Sequence, residues 1–182
     1  RHPEKLFFVR SRDLVPDRYK QIPGSVHFLL NYLYNEGAKI CVVSRFAPAF
    51  IVSQMGLLKV NAPMIVMDGA ALYDIGDNKY LDIIEIPHDN ADRLTQIITD
   101  FGACCTIYTV QNQSLCIYLA GEMSDVEKFH REKMRQSPYR NYLEGTYDEN
   151  NKITVIRVLD TPERIAQLEY LVKSVLPPRM FR

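Results

Sequence analysis

Apolar positions in the first half of the chain come in short unbroken runs separated by stretches of helical period. Residues 5–9 (KLFFV), 38–43 (AKICVV) and 63–67 (PMIVM) are too short for helices, and each reads as a strand buried on both faces. Between the first two, after a loop over residues 10–24, Val26, Leu29, Leu30 and Leu33 recur at i, i+3, i+4 and i+7. Ser25 stands ahead of them as a cap and Gly37 behind them as a left-handed stop. Residues 48–55 make a shorter helix ended by Gly56. Strand, helix, strand, helix, strand with continuous apolar strands predicts a parallel sheet covered by helices. Such sheets bind ligands beyond the carboxyl ends of their strands, here residues 9–13, 43–46 and 67–70.

From about residue 80 the pattern changes. Residues 80–86 alternate weakly and predict a connecting strand. A helix from Asn90 places Leu94, Ile97, Ile98 and Phe101 on one face, with Gly102 after its end. Residues 104–109 and 114–120, joined by Val110-Gln111-Asn112-Gln113, predict a hairpin. Ser124 and Glu127 have capping-box spacing at the head of a charged helix reaching about Gln136. Residues 137–151 are polar and loop-like, and 152–158 form another strand. Thr161 caps a final helix with Pro162 at its first position and Ile165, Leu168, Val172 and Val175 facing inward. The second half is therefore α+β, and the change of pattern puts a boundary near residues 75–87, giving domains 1–80 and 81–182.

Composition narrows the function classes. Lysine plus arginine and aspartate plus glutamate each number 22, so no net charge draws the chain to nucleic acid or anionic lipid. The four cysteines lie in or beside apolar runs without zinc spacing, which predicts reduced core thiols in a cytoplasmic protein. No apolar run reaches membrane-spanning length and no secretory leader is visible, so neither partner nor location involves a membrane. His27, His88 and His130 share no metal-ligand spacing. Tyr108 and Tyr118 on the hairpin read as packing residues.

Three segments, each ending a predicted strand, carry a resemblance: KLFFVRSRDLV, VVSRFAPAF and MIVMDGAALYD. Their order and spacing resemble the haloacid dehalogenase superfamily, in its Cof-type branch of sugar-phosphate phosphatases. There the first strand reads roughly KLIFFDIDGTLV, the second ends in Thr-Gly-Arg and the third in Asn-Gly-Ala. The resemblance implies a Rossmann-like three-layer α/β/α core, incomplete in this chain, with an inserted α+β cap domain whose closing strand is truncated. It also implies a first-motif aspartate that attacks phosphorus, a second that acts as acid and base, and a Mg²⁺ ion.

On this sequence the two aspartate positions fall on Val9 and Ser11, and the following Gly-Thr on Arg12-Asp13. Valine has no lone pair, and serine is no acid near neutral pH. Asp13 and Asp17 read as loop residues rather than substitutes. Ser44 stands where a phosphate-binding threonine would be, with Arg45 and Phe46 replacing Gly-Arg, and Asp68-Gly69 replaces Asn-Gly. The lysine and the Gly-Asp-x-x-x-Asp motif that follow the cap in relatives have no counterpart.

The expectation is a catalytically lapsed phosphatase relative that uses no cofactor. Its candidate ligand-binding residues are Arg10, Arg12, Ser44, Arg45, Asp68 and Gly69, with Arg18 and Lys20 adding positive charge for a phosphorylated or otherwise anionic small molecule. The alternative is an active Mg²⁺-dependent phosphatase of sugar phosphates or similar phosphomonoesters. Without later strands the first strand becomes an exposed apolar edge, which calls for a further C-terminal core segment or an oligomeric partner.

Overall fold

A computed structural model describes residues 5–15, 21–56, 58–134, 141–143 and 145–176. The chain divides into two compact units, residues 1–84 and 85–182.

In the first unit, β1 (Leu6–Arg10), β2 (Lys39–Val43) and β3 (Met64–Val66) pair in parallel in that order. The sheet then continues antiparallel through β4 (Ala71–Asp74) and β5 (Lys79–Ile83). The apolar runs thus form the predicted strands. The segment read as a connecting strand is a strand over Lys79–Ile83, at the edge of this sheet and packed through the Tyr73–Tyr80 ring pair, at 5.1 Å. The first unit ends at Ile84, just after this strand. The strand at residues 71–74 was hidden by its brevity and its Asp74-rich turn, whose carboxylate accepts from the Gly76 and Asp77 amides.

Helix α2 (Gly24–Asn35) returns the chain from β1 to β2, and α3 (Pro48–Met55) connects β2 to β3. Ser25 lies inside α2, whose N-cap is Pro23 without a side-chain bond. Leu30 is the buried member of the predicted stripe, while Leu29 is 56% exposed. Ile40, Val42, Ile51, Met55, Met64 and Val66 are almost completely buried and form the centre of this unit. In the predicted loop after β1, Ser11–Leu14 closes a single helical turn, α1, with Val15 donating to the Ser11 carbonyl at 2.9 Å.

The second unit is a four-stranded sheet in the order β8 (Asn141–Tyr142), β7 (Ser114–Ala120), β6 (Cys105–Gln111), β9 (Lys152–Val158). Its hairpin turn is two residues, not four: Asn112 and Gln113 both take positive φ, the conformation that matches strand twist. Helices α4 (His88–Asp100) and α6 (Pro162–Val175) join β6 and β7 in a core of Ala91, Ile98, Cys105, Ile107, Cys116, Tyr118, Ile153 and Leu168. The Thr161 hydroxyl caps α6 by accepting from the Arg164 amide, as its sequence predicts, although Val175 is exposed. A two-residue strand, β8, interrupts the stretch read as loop, pairing in parallel with β7. Among the described residues no helix is long and apolar enough to cross a membrane.

Candidate ligand site at the strand ends

The carboxyl ends of β1, β2 and β3 bring Ser11, Ser44 and Asp68 into one neighbourhood because parallel strands end on the same side of the sheet. Val9 pairs with Val42 inside the ladder. One residue past the end of β1, Ser11 is buried and its hydroxyl donates to Ser44 Oγ at 3.1 Å. Ser44 is also buried, and its Oγ accepts from the Phe46 amide at 3.0 Å. Its backbone is equally committed: the amide donates to the Ile65 carbonyl at 2.8 Å and the carbonyl accepts from the Asp68 amide at 3.4 Å.

The third strand ends in an unusual turn. Met67, Asp68 and Gly69 all have positive φ, at 57°, 56° and 95°. Glycine adopts that region freely, but a buried methionine there stores strain. The turn is held by the Met67 amide donating to the Phe46 carbonyl at 3.1 Å. The loops after β2 and β3 are therefore tied backbone to backbone, and Asp68 is left exposed at their rim.

The arginines do not converge on the serines. Arg10 Nε donates to Asp13 Oδ2 at 2.7 Å, and Arg12 Nε stands 4.0 Å from Asp13 Oδ1. Both pairs are at least half exposed, so they contribute little to stability. The guanidinium of Arg45, itself exposed, lies 6.0 Å from the Phe46 ring centre. Arg18, Lys20 and Asp17 fall outside the described residues. The positive side chains thus ring the strand ends without touching the hydroxyl pair.

Ser44→Ala deletes one acceptor and leaves the buried Ser11 hydroxyl and Phe46 amide without a partner. Urea denaturation is expected to show a loss of about 1–3 kcal/mol; an unchanged midpoint would mean the pair contributes nothing.

Among the described residues no cysteine is poised as a nucleophile. All four are buried, and burial raises the thiol pKa of Cys41, brings Cys105 to about 11 and pushes Cys104 up to about 12, the last helped by the nearby charge of Glu127. Tyr108 and Tyr118 are buried, the latter accepting from Gln111 Nε2 at 2.9 Å, which is a packing arrangement.

Sequence reasoning passed over one charged cluster, in the second unit. Glu127 of α5 (Asp125–Met134) is almost fully buried and pairs with Arg157 Nη2 at 3.4 Å, while Arg157 Nη1 lies 3.2 Å from His130 Nε2. The guanidinium also sits 5.5 Å from the Tyr108 ring centre. Capping-box spacing pairs Glu127 with Ser124. The Ser124 half of that box is made, with the Glu127 amide donating to Ser124 Oγ at 3.2 Å, but the carboxylate turns inward. No local signal in the sequence marks that turn.

Comparison with known proteins agrees with the topology. A family model described as haloacid dehalogenase-like hydrolase matches residues 15–181. A haloacid dehalogenase-like hydrolase from B. subtilis superposes with a TM-score of 0.70 at 12% identity, covering 94% of this chain and 67% of that one. The subclass IIB sugar phosphatase BT4131 gives 0.68 at 16%, covering 92% and 63%. A haloacid dehalogenase-like hydrolase from Bacteroides thetaiotaomicron gives 0.66 at 11%, covering 93% and 63%. The chain spans about two thirds of the length of these structures. No curated protein sequence matches it.

Proposed function

Because the chain belongs to the haloacid dehalogenase-like hydrolase family, we propose that it is a lapsed phosphatase that holds a small anion at its strand ends without hydrolysing it. The observation that carries this reading is the Ser11–Ser44 hydrogen bond beside Val9. Phosphoryl transfer by this family's route needs one carboxylate to attack and a second to protonate the leaving oxygen. Here the first position is an alkyl group and the second a buried hydroxyl already donating to its neighbour.

The residues present do not fit Mg²⁺. Val9 offers no donor atom, Ser11 is committed to Ser44, and Asp13 is paired with Arg10. Among the described residues no three His, Cys, Asp or Glu side chains gather as a set of ligands. What remains suits an anion held by charge at the rim, with Arg12 and Arg45 as a positive field beside the buried hydroxyl pair. The second unit takes the place of the relatives' cap in chain order, and reduced buried thiols accord with a cytoplasmic setting.

The test has two arms. With p-nitrophenyl phosphate and Mg²⁺, turnover is expected to equal that of buffer; EDTA-sensitive turnover well above it would establish the alternative, an active Mg²⁺-dependent phosphatase. Titration with inorganic phosphate, followed by amide NMR, is expected to shift residues 11–13 and 44–46, less strongly in Arg45→Gln and at high salt. Silent resonances there would remove the ligand-binding half of the proposal.

A further inference from the structure

Helix α5 of the second unit is docked by groups that titrate, and this bears on the protein independently of the strand-end site. Among the described residues of α5 the buried ones are Glu127 and His130, a carboxylate and an imidazole one turn apart on the side facing the sheet. An amphipathic helix ordinarily sets aliphatic side chains there. The sheet meets them with polar groups of its own. Ile107, Ile156 and Val158 point into the core beneath α4 and α6, so by strand alternation Thr106, Tyr108 and Arg157 point to the opposite face. The Arg157 guanidinium is the meeting point. It lies 5.5 Å from the Tyr108 ring centre, its Nη2 donates to Glu127 Oε1 at 3.4 Å, and its Nη1 stands 3.2 Å from His130 Nε2.

That last contact fixes the state of the histidine. Arginine stays protonated and has only N–H donors, so Nε2 accepts and the ring proton sits on Nδ1. His130 is therefore neutral in this arrangement. A proton arriving at Nε2 removes the acceptor and sets a second donor, now charged, against Arg157.

The surrounding charges add to that cost. Among the described residues Glu127 and Arg131 face the cluster from α5, Arg157 from β9, and the Cys104 thiol and Tyr108 ring from β6 and its entry. Asp125, Lys128 and Glu132 are exposed on the outer side of the helix. Two arginines thus already stand about one carboxylate, and an imidazolium makes three cations to one anion.

We propose that α5 is a pH-released element of the second unit: neutral His130 latches it to Arg157, and protonation of His130 in mild acid frees it from the sheet. The ordinary histidine pKa of about 6.5 places the event within reach of mild acidification. The unfolded chain takes up this proton without meeting Arg157. The latch is therefore complete above about pH 6.5 and is lost as pH falls below it. Glu127 acts in the opposite sense: burial raises its pKa, so its own proton uptake favours the docked helix in acid. Acid loosening of α5 thus has its source in the histidine. Release withdraws the helix from the face of β6 that carries Thr106 and Tyr108.

Hydrogen exchange of the full chain, read amide by amide at about pH 7.5 and about pH 5.5 and corrected for intrinsic rates, tests the latch. Protection of residues 125–132 is expected to fall about tenfold or more at the lower pH, while α4 and α6 keep theirs. His130→Gln offers an amide oxygen to Arg157 and does not titrate, so its α5 should stay protected at both pH values. Equal protection of α5 in the unaltered chain at the two pH values overturns the proposal. An acid loss that survives in His130→Gln, or one shared by the whole unit, overturns it too. The imidazole nitrogen shifts of the unaltered chain supply a readout that needs no variant. They should show the Nδ1–H tautomer of His130 at the higher pH and a titration midpoint that coincides with the loosening of α5. An Nε2–H tautomer or an imidazolium at the higher pH is incompatible with the latch.

Discussion

Arg157→Met is expected to destabilise the second unit by roughly 3–5 kcal/mol at neutral pH, because it leaves the carboxylate of Glu127 buried without its counter-charge. The Glu127 side chain is 3% exposed and Arg157 Nη2 is its ion-pair partner at 3.4 Å. Burial raises the Glu127 pKa above its ordinary value, outweighing the attraction of Arg157 and Arg131 that lowers it. The folded state therefore holds this proton more tightly than the unfolded one. Its contribution to stability is greatest below the unfolded pKa of about 4.3 and is lost as pH rises from there through the folded value.

Removing Arg157 takes away an opposing attraction and widens that window. The deficit of Arg157→Met should thus be larger near pH 7 than near pH 4, where Glu127 is protonated. Urea denaturation, with hydrogen exchange at the β6 and β9 amides to locate the effect, measures both. Glu127→Gln combined with Arg157→Met should recover much of the loss, since no buried charge remains. A single-variant loss below about 1 kcal/mol would show that the pair is solvated after all.

Gly121→Ala should cost about 2–5 kcal/mol through backbone alone. Gly121 follows β7 with φ of +87°, and a Cβ there would stand 2.5 Å from the Ala103 carbonyl oxygen and 3.2 Å from Cys104 Cα. Those atoms lead into β6, which is paired with β7 from Cys105 to Gln111 and with β9 from Cys105 to Val110, so neither strand can withdraw. Gly102 supplies the control. Its φ is +75° but nothing lies within 4 Å of a Cβ, so Gly102→Ala should cost only about 1–2 kcal/mol. Thermal melts of the two variants compare the left-handed backbone alone with the same backbone plus a steric clash. Equal losses would mean the close approach relaxes without cost.

For function, the legible part was the residue types that end the three parallel strands. Val9 and Ser11 carry no carboxylate whatever surrounds them, because the sequence fixes side-chain type before any fold forms. The arginines were the less legible part. On the sequence Arg10, Arg12 and Arg45 suggested a converging cationic mouth; in the fold Arg10 turns to Asp13 and Arg45 to Phe46. Side chains on short loops choose among many partners, and sequence proximity does not rank them. Ser44 was identified by position alone, while its partnership with Ser11, 33 residues away, depends on two parallel strands ending level.

By itself the sequence determined what is local and periodic. The apolar runs became β1, β2 and β3, the Thr161-Pro162 cap began α6, and the hairpin formed between residues 105 and 120, because burial and capping act over a few residues. Tertiary structure alone decided the inward turn of Glu127 toward Arg157 and the closure of Ser11 on Ser44. Each of these joins elements distant in the chain, where the competition between water and a buried partner is settled only once the sheets have assembled. KLFFVRSRDLV therefore shows in its letters which residue types end the first strand, and only in the fold that Ser11 meets Ser44 there.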